Sequence, residues 1–280
     1  MSTVQSIKGT PGGDKGGSGR SGLSGLSGGD AAERAVRVDL AACYRLIDLF
    51  GMSDIILNHI SARVPGGPEH FLINPFGMLY EEITASSLIK VDIDGTVVHN
   101  PDPHYTVNLP GYVIHSAIHA ARPDVKCVLH THTPAGMAVS ALKCGLLPLN
   151  QVAMRFISSV AYHDFEGVAV DIDERARLVA DLGDKEVMIL RNHGLLAVGR
   201  TVAEAFVNMQ RLERACVTQL LTMSANSEML YPPQKVIDHT FGQLRRSPSP
   251  AADGSFPPHG EREWPALLRK LDRIDPSYRN

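Results

Sequence analysis

The chain has 280 residues, 44% hydrophobic and 20% charged, with a formal net charge of -3. That is enough for one large domain with a substantial core, and the balance is not the basic one that a nucleic-acid binder needs. No run of 18 or more apolar residues occurs, and the N-terminus lacks signal-peptide regions, so the expectation is a cytoplasmic protein that neither spans nor enters a membrane.

Residues 1–30 are low in complexity. Pro11 to Arg20 and Leu23 to Gly29 are rich in Gly and Ser and cannot bury enough apolar area to offset chain entropy, which predicts a disordered tail. A phosphate-cradling glycine loop would need a preceding strand, and none is present. A helix is expected from Asp30, with Asp30 as cap and Glu33 completing a capping box. Val36, Leu40, Cys43, Leu46, Ile47 and Phe50 recur at helical spacing, and Gly51 ends the run. Ile55 to Val64 reads as a strand, followed by a Pro65-Gly66-Gly67 turn. Phe71 to Asn74 reads as another, and Leu88 to Asp92 and Thr96 to Val98 flank an Asp94-Gly95 hairpin signal. Pro110 to Ala121 is predicted helical, with Pro110 in its first turn.

Further along, an apolar run from Val125 ends in His130-Thr131-His132-Thr133. Side chains alternate on a strand, so His130 and His132 project from one face while Thr131 points away. A helix is expected over Pro134 to Ala141 and another over Asp173 to Leu182, capped by Asp171 or Asp173. A second apolar strand, Glu186 to Arg191, ends in Asn192-His193-Gly194, and Leu195 to Val198 follows as a strand. Thr201 caps a long helix to about Met223, whose apolar residues form no single stripe and therefore predict packing on more than one side. Residues 246–260 read as a Ser/Pro/Gly linker and Glu263 to Leu271 as a terminal helix, giving a domain over 31–245 and an appended 246–280. Cys43, Cys127, Cys144 and Cys216 are scattered, which fits reduced, buried thiols and not a disulfide framework.

Three imidazoles at two strand ends, His130, His132 and His193, are the candidate ligands of one divalent metal ion. An HxH pair also arises by chance alternation, and sequence does not show that the two strands are neighbours. His115 and His119 lie i, i+4 on one face of their helix; His119 reads as structural and His115 as a candidate catalytic group.

The segments Asn58-His59-Ile60-Ser61-Ala62-Arg63, Ile73-Asn74-Pro75-Phe76-Gly77, Ile114 to Asp124, His130-Thr131-His132-Thr133 and Arg191-Asn192-His193-Gly194, in this order, resemble the class II aldolase/adducin family over about residues 34–225. The resemblance implies an α/β fold of αβα layers around a central, mainly antiparallel sheet, and a homotetramer with sites near subunit interfaces. It also implies a divalent metal on His130, His132 and His193. The family's sugar-phosphate aldolases carry an acid/base glutamate at the start of the helix before HxH; here that position is Gly111, which cannot move a proton. Their phosphate-binding pairs correspond to Asn58-His59, Phe76-Gly77 and Leu109-Pro110, where the hydroxyl donors are missing, and their interface tyrosine has no counterpart near Gln151 to Ala153. A phosphate needs several donors, so a sugar phosphate is not the expected substrate.

These departures leave an ion held by imidazole alone, with Gly111 expected to vacate space beside it. Such a centre suits a chelating aromatic α-keto or α-hydroxy acid. Candidate substrate contacts are Asn74, Phe76, Gly77 and Gly111, with Met78, Tyr80, Met154 and Phe156 offering an aromatic or prenyl pocket, and His59 and His115 as polar catalytic groups. Two reaction classes follow. The chain is similar to the aldolase-like non-haem iron oxygenases of aminocoumarin antibiotic pathways (clorobiocin and novobiocin). That similarity implies Fe(II), dioxygen and oxidative decarboxylation of a prenylated 4-hydroxyphenylpyruvate. The alternative is a Zn(II)- or Mn(II)-dependent lyase, an aldolase or aromatic-acid decarboxylase, on an unphosphorylated substrate. A binding module without chemistry has no use for three intact ligands.

Overall fold

The fold was obtained as a computed structural model that describes residues 28–167, 172–245 and 258–280. Its first helix, α1 (Gly28–Leu49), starts two residues before the sequence expectation and places Asp30 inside its first turn. Glu33 ion-pairs with Arg37 and Lys90. Gly51, at φ +67°, turns the chain away from the helix. Along α1, Leu40, Cys43, Tyr44, Leu46 and Ile47 have no exposed surface; burying each large apolar side chain contributes about 1.5–3 kcal/mol relative to leaving it in water.

The sheet has eight strands: β1 (His59–Arg63), β2 (His70–Ile73), β3 (Ile89–Asp92), β4 (Val97–His99), β5 (Cys127–Thr131), β6 (Val160–His163), β7 (Val187–Leu190) and β8 (Gly194–Gly199). Their spatial order is β4-β3-β2-β1-β5-β8-β7-β6. Every neighbouring pair is antiparallel except β6 with β7, so the mainly antiparallel sheet is present as expected. The alternation of side chains splits the interior into two layers. Cys127 and Leu129 of β5 and Leu195 and Ala197 of β8 pack with α1 and the long α6 (Val202–Ser224). Val128, Leu196 and Val198 pack on the other face with Ile114 and Ile118 of α2 (Leu109–Ala121) and Leu178 and Leu182 of α5 (Ile172–Leu182). The αβα order is thus set by which parity of each strand is apolar.

Helix boundaries follow local hydrogen bonding. Asn108 caps α2 by accepting from the Gly111 N–H, and Thr133 caps α3 (Pro134–Ser140) by accepting from Gly136. Thr201 Oγ1 accepts from Glu204 N at 3.0 Å, and the Glu204 carboxylate accepts from Arg200 N at 2.7 Å, which together start α6. α6 buries residues around most of its circumference, as the lack of a single stripe implied. Of the proposed caps of α5, Asp171 lies outside the described residues and the helix is already formed at Asp173.

Several expectations need correction. The strand read over Ile55 to Val64 is β1 alone. Ile55 sits at φ +49° and is 69% exposed, and Leu57 N donates to Asp54 O at 2.8 Å, so these residues form a turn, at an unusual backbone conformation for a β-branched residue. The short α4 (Gln151–Met154), β6 and α7 (Gln234–Arg245) were not anticipated. Cys144 is exposed, whereas the other three thiols are buried; all four are free. Most of the expected tail and linker, 1–27 and 246–257, lies outside the described residues. The terminal α8 (Glu263–Ile274) is not an appendage: Trp264 Nε1 donates to Asp39 Oδ1 at 2.9 Å and its ring lies 5.8 Å from that of Phe206. Among the described residues no helix is long and apolar enough to cross a membrane.

Candidate metal centre

Pairing of β5 with β8 brings the two histidine-bearing segments together, since Thr131 is paired with Leu195 and His130 with Leu196. His130 points from the α2 face of β5, and His132 follows on the same side one residue past the strand. Asn192, at φ +56°, turns the chain from β7 into β8 and presents His193 beside them. Gly194 permits this approach: a Cβ there would lie 2.4 Å from Thr131 O and within 3.4 Å of both the His132 and His130 rings.

The protonation of the rings follows from their partners. His130 Nδ1 donates to Leu195 O at 2.9 Å, and His132 Nδ1 donates to Asp54 Oδ2 at 3.0 Å. An imidazole that donates from Nδ1 in its neutral form carries a bare lone pair on Nε2. The Nε2 atoms of His130 and His132 are 2.7 Å apart, and His132 Nε2 is 3.0 Å from His193 Nε2. Bare nitrogens facing one another cannot hydrogen-bond; a shared cation turns that arrangement from repulsive to favourable. His130, His132 and His193 each offer one nitrogen within 4.8 Å of the others. Burial, reinforced by the neighbouring imidazoles, holds His130 well below the usual histidine range and lowers His193 to about 4, favouring the neutral form that ligates metals. The donor set thus fits a divalent ion with positions left open for substrate.

The residue that sequence reasoning missed is Asp54. Its carboxylate orients His132, the arrangement by which ligating histidines are fixed and made more basic. Its position two residues after Met52, in what reads as the start of an apolar strand, gave no signal. Asp54→Asn is expected to weaken metal affinity roughly 10- to 100-fold while leaving the fold intact; titration of apo-protein with Zn(II) against a chromophoric chelator measures this.

Gly111 does not leave an empty seat. A Cβ at Gly111 would stand 2.3 Å from His59 Nε2, so the His59 imidazole fills the space that a larger residue 111 would need. His59 is paired with His130 across β1 and β5, and their ring centroids are 5.3 Å apart. His59 Nδ1 lies 2.7 Å from His115 Nε2. Burial first, then neighbouring imidazoles, keep His59 and His115 well below the ordinary histidine range. His119, read as structural, is joined to the same group through Ser61.

The expected substrate contacts are placed unevenly. Asn74 is buried and its Oδ1 accepts from the Tyr44 hydroxyl at 2.9 Å. Phe76 is half-buried, its N–H donating to Thr106 O at 2.8 Å, and Gly77, at φ +113°, lies under the Tyr105 ring. Tyr80 and Phe156 are core residues with 1% exposure, Met154 is buried, and Met78 packs against the core. The aromatic or prenyl pocket therefore loses most of its lining to the core. Phe165, not anticipated, is 54% exposed with its ring 6.4 Å from that of His193.

Residues 38–220 match the family described as Class II Aldolase and Adducin N-terminal domain, and the chain belongs to that family. It is similar to an aldolase II superfamily protein of Pseudomonas syringae, whose crystal structure superposes with a TM-score of 0.83 at 53% identity, covering 91% of this chain and 98% of that one. It is 48% identical to rat (Rattus norvegicus) alpha-adducin over 88% of this chain and 34% of the adducin. It also superposes on an L-fuculose 1-phosphate aldolase of Glaciozyma antarctica with a TM-score of 0.78 at 28% identity, covering 92% of this chain and 97% of that one. The family is typically one of metal-dependent lyases.

Proposed function

We propose that this protein is a divalent-metal lyase that makes or breaks a carbon–carbon bond beside a carbonyl in an unphosphorylated 2-oxo or 2-hydroxy acid. His130, His132 and His193 hold the ion, which when bound supplies Lewis-acid polarisation of a substrate oxygen. The observation that carries the reading is His59: an imidazole occupies the place beside the three histidines where Gly111 offers nothing. In the cleavage direction His59 takes the hydroxyl proton of the substrate and returns a proton to carbon; in synthesis the order reverses. His115 holds the His59 ring in place.

Family membership and the likeness to a fuculose-phosphate aldolase support the lyase over the oxidative reading, for which none of the comparisons speaks. Burial of Tyr80, Met154 and Phe156 in the core removes the main ground for a prenylated aromatic substrate. Zinc is the ion proposed, with Mn(II) and Fe(II) as the others to be tried. Assembly into a homotetramer is part of the proposal: Ile55 and Leu57 beside Asp54, Met137 in α3, and Phe165 beside His193 are exposed apolar side chains, a pattern that fits cover by another copy.

The test is anaerobic cleavage of 4-hydroxy-2-oxo acids by Zn(II)- or Mn(II)-loaded protein, read as pyruvate release. Release under nitrogen is the expected result. Absence of release together with dioxygen uptake by the Fe(II)-loaded protein on adding an aromatic pyruvate would overturn it in favour of the oxidative reaction.

A further inference from the structure

We propose that the cavity between α4, α6 and α7 is a binding site for a phosphate dianion, either inorganic phosphate or the phosphoryl group of a small metabolite. The inference is independent of the lyase reading. The cavity has a volume of about 270 Å3 and is walled by Gln151, Arg155, Gln210, Arg211, Arg214 and Leu244. None of these belongs to the metal centre. Arg155 feels the charges of Glu186 and Arg245. Glu186 immediately precedes β7 and His193 follows it, so the cavity lies toward the end of the sheet away from the three histidines. Two segments supply the polar walls by one spacing. Gln210 and Arg214 lie i, i+4 on α6, with Arg211 i, i+3 before Arg214, so the three share a face. Gln151 and Arg155 repeat the i, i+4 spacing across α4 and its C-cap.

Guanidinium groups around one small space repel each other unless negative charge intervenes. Other arginines of the described residues meet carboxylates, as Arg37 does with Glu33, Arg122 with Asp124 and Arg200 with Glu204. Here the carboxylates run short. Glu263 pairs with Arg211 and Glu186 with Arg245, and among the described residues no acidic side chain lines the cavity. Arg214 is exposed and forms no ion pair among the described residues; water alone can satisfy a side chain so placed. Arg155 is different, because it is withdrawn from water. It is 5% exposed, its Nη1 donates to Leu244 O at 2.9 Å, and its Nε and Nη2 are buried with no acceptor. Burial first, then the charge of Arg211, lower its guanidinium to about 10. Of the three lining cations one is met by Glu263, which leaves two positive charges. A phosphate dianion offsets both at a single centre, and its oxygens match the fork of a guanidinium. Gln151 and Gln210 add amide donors. The volume is below that of pockets for drug-sized ligands, which suits a compact anion.

The test is calorimetric titration of the full-length Zn(II)-loaded protein, free of unbound ion, with inorganic phosphate and with glycerol 3-phosphate, against chloride at matched ionic strength. Saturable binding of phosphate that weakens with added salt is the expected result. Tighter binding of glycerol 3-phosphate, with glycerol inert, marks a metabolite ester as the natural occupant; tighter binding of inorganic phosphate marks the free ion. Arg155→Gln and Arg214→Gln are each expected to weaken binding at least about 10-fold with metal content unchanged. Arg214 is exposed, so its variant carries the test if Arg155→Gln fails to fold. Binding no stronger than that of chloride overturns the proposal. So does phosphate binding that is unchanged in a folded variant of either kind and lost in His193→Ala, since the metal is then what holds the anion. Loss of assembly mass in Arg214→Gln, with no phosphate bound by the wild type, assigns the arginines to a contact between copies and overturns it as well. No turnover is read, so failure of the lyase reading leaves each of these results as it stands.

Discussion

Replacing His193 with alanine is expected to release the metal while leaving the fold in place. His193 sits in the turn between β7 and β8 and is not part of the apolar layers, so its removal opens no core cavity. What remains is a pair of imidazoles, and loss of a direct ligand should exceed the roughly 10- to 100-fold that loss of an orienting partner produces. Binding to the native state alone stabilises by about 2.7 kcal/mol when the free ion is at 100 times its dissociation constant. The wild type should therefore show a metal-dependent rise in Tm that the variant lacks, with the two apo-proteins melting together. Elemental analysis after gel filtration and paired melting curves with and without Zn(II) check both halves. Full metal content in the variant would remove His193 from the ligand set; a lower apo Tm would make it structural.

The cluster was legible because strands repeat every two residues. His130 and His132 had to share a face once Val125 to Leu129 was read as a strand, and a turn before Gly194 could present a third ring. Pairing of β5 with β8 supplied the one fact that periodicity lacks, namely which strands are neighbours. The same gap explains the misreading of Gly111. Its partner in space is His59, 52 residues earlier, brought there by the packing of α2 on β1, and a glycine considered alone looks like lost volume. Asp54 was hidden for a different reason. The apolar residues Ile55, Ile56 and Leu57 counted as strand, yet Ile55 and Leu57 are exposed and the turn around Ile55 is what aims Asp54 at His132. Tyr80, Met154 and Phe156 show the converse error, since large apolar residues near a site in sequence are more often its foundation than its wall.

The proposed exchange of proton carriers between positions 59 and 111 makes the strongest claim on rate. His59→Ala is expected to lower kcat by roughly 100- to 10,000-fold, the range for loss of a general acid–base group, with metal content unchanged because His59 is outside the ligand set. Gly111→Ala should do nearly the same without touching the imidazole. Its Cβ would lie 2.3 Å from His59 Nε2, so the ring must leave its position, at an overpacking cost of about 1–3 kcal/mol. The two effects share one cause and should not add: His59→Ala removes the obstacle, so the double variant should regain the stability lost in Gly111→Ala while staying as slow as His59→Ala. His59→Ala with Gly111→Glu goes further, since it returns a carboxylate to the position where the sugar-phosphate aldolases carry one and frees the space for it. Recovery of turnover in that variant, above both single variants and with metal retained, is the expected result of steady-state kinetics. Turnover in His59→Ala equal to the wild type would mean that the proton is carried by some other group, and the space beside the three histidines would then be filled for packing alone.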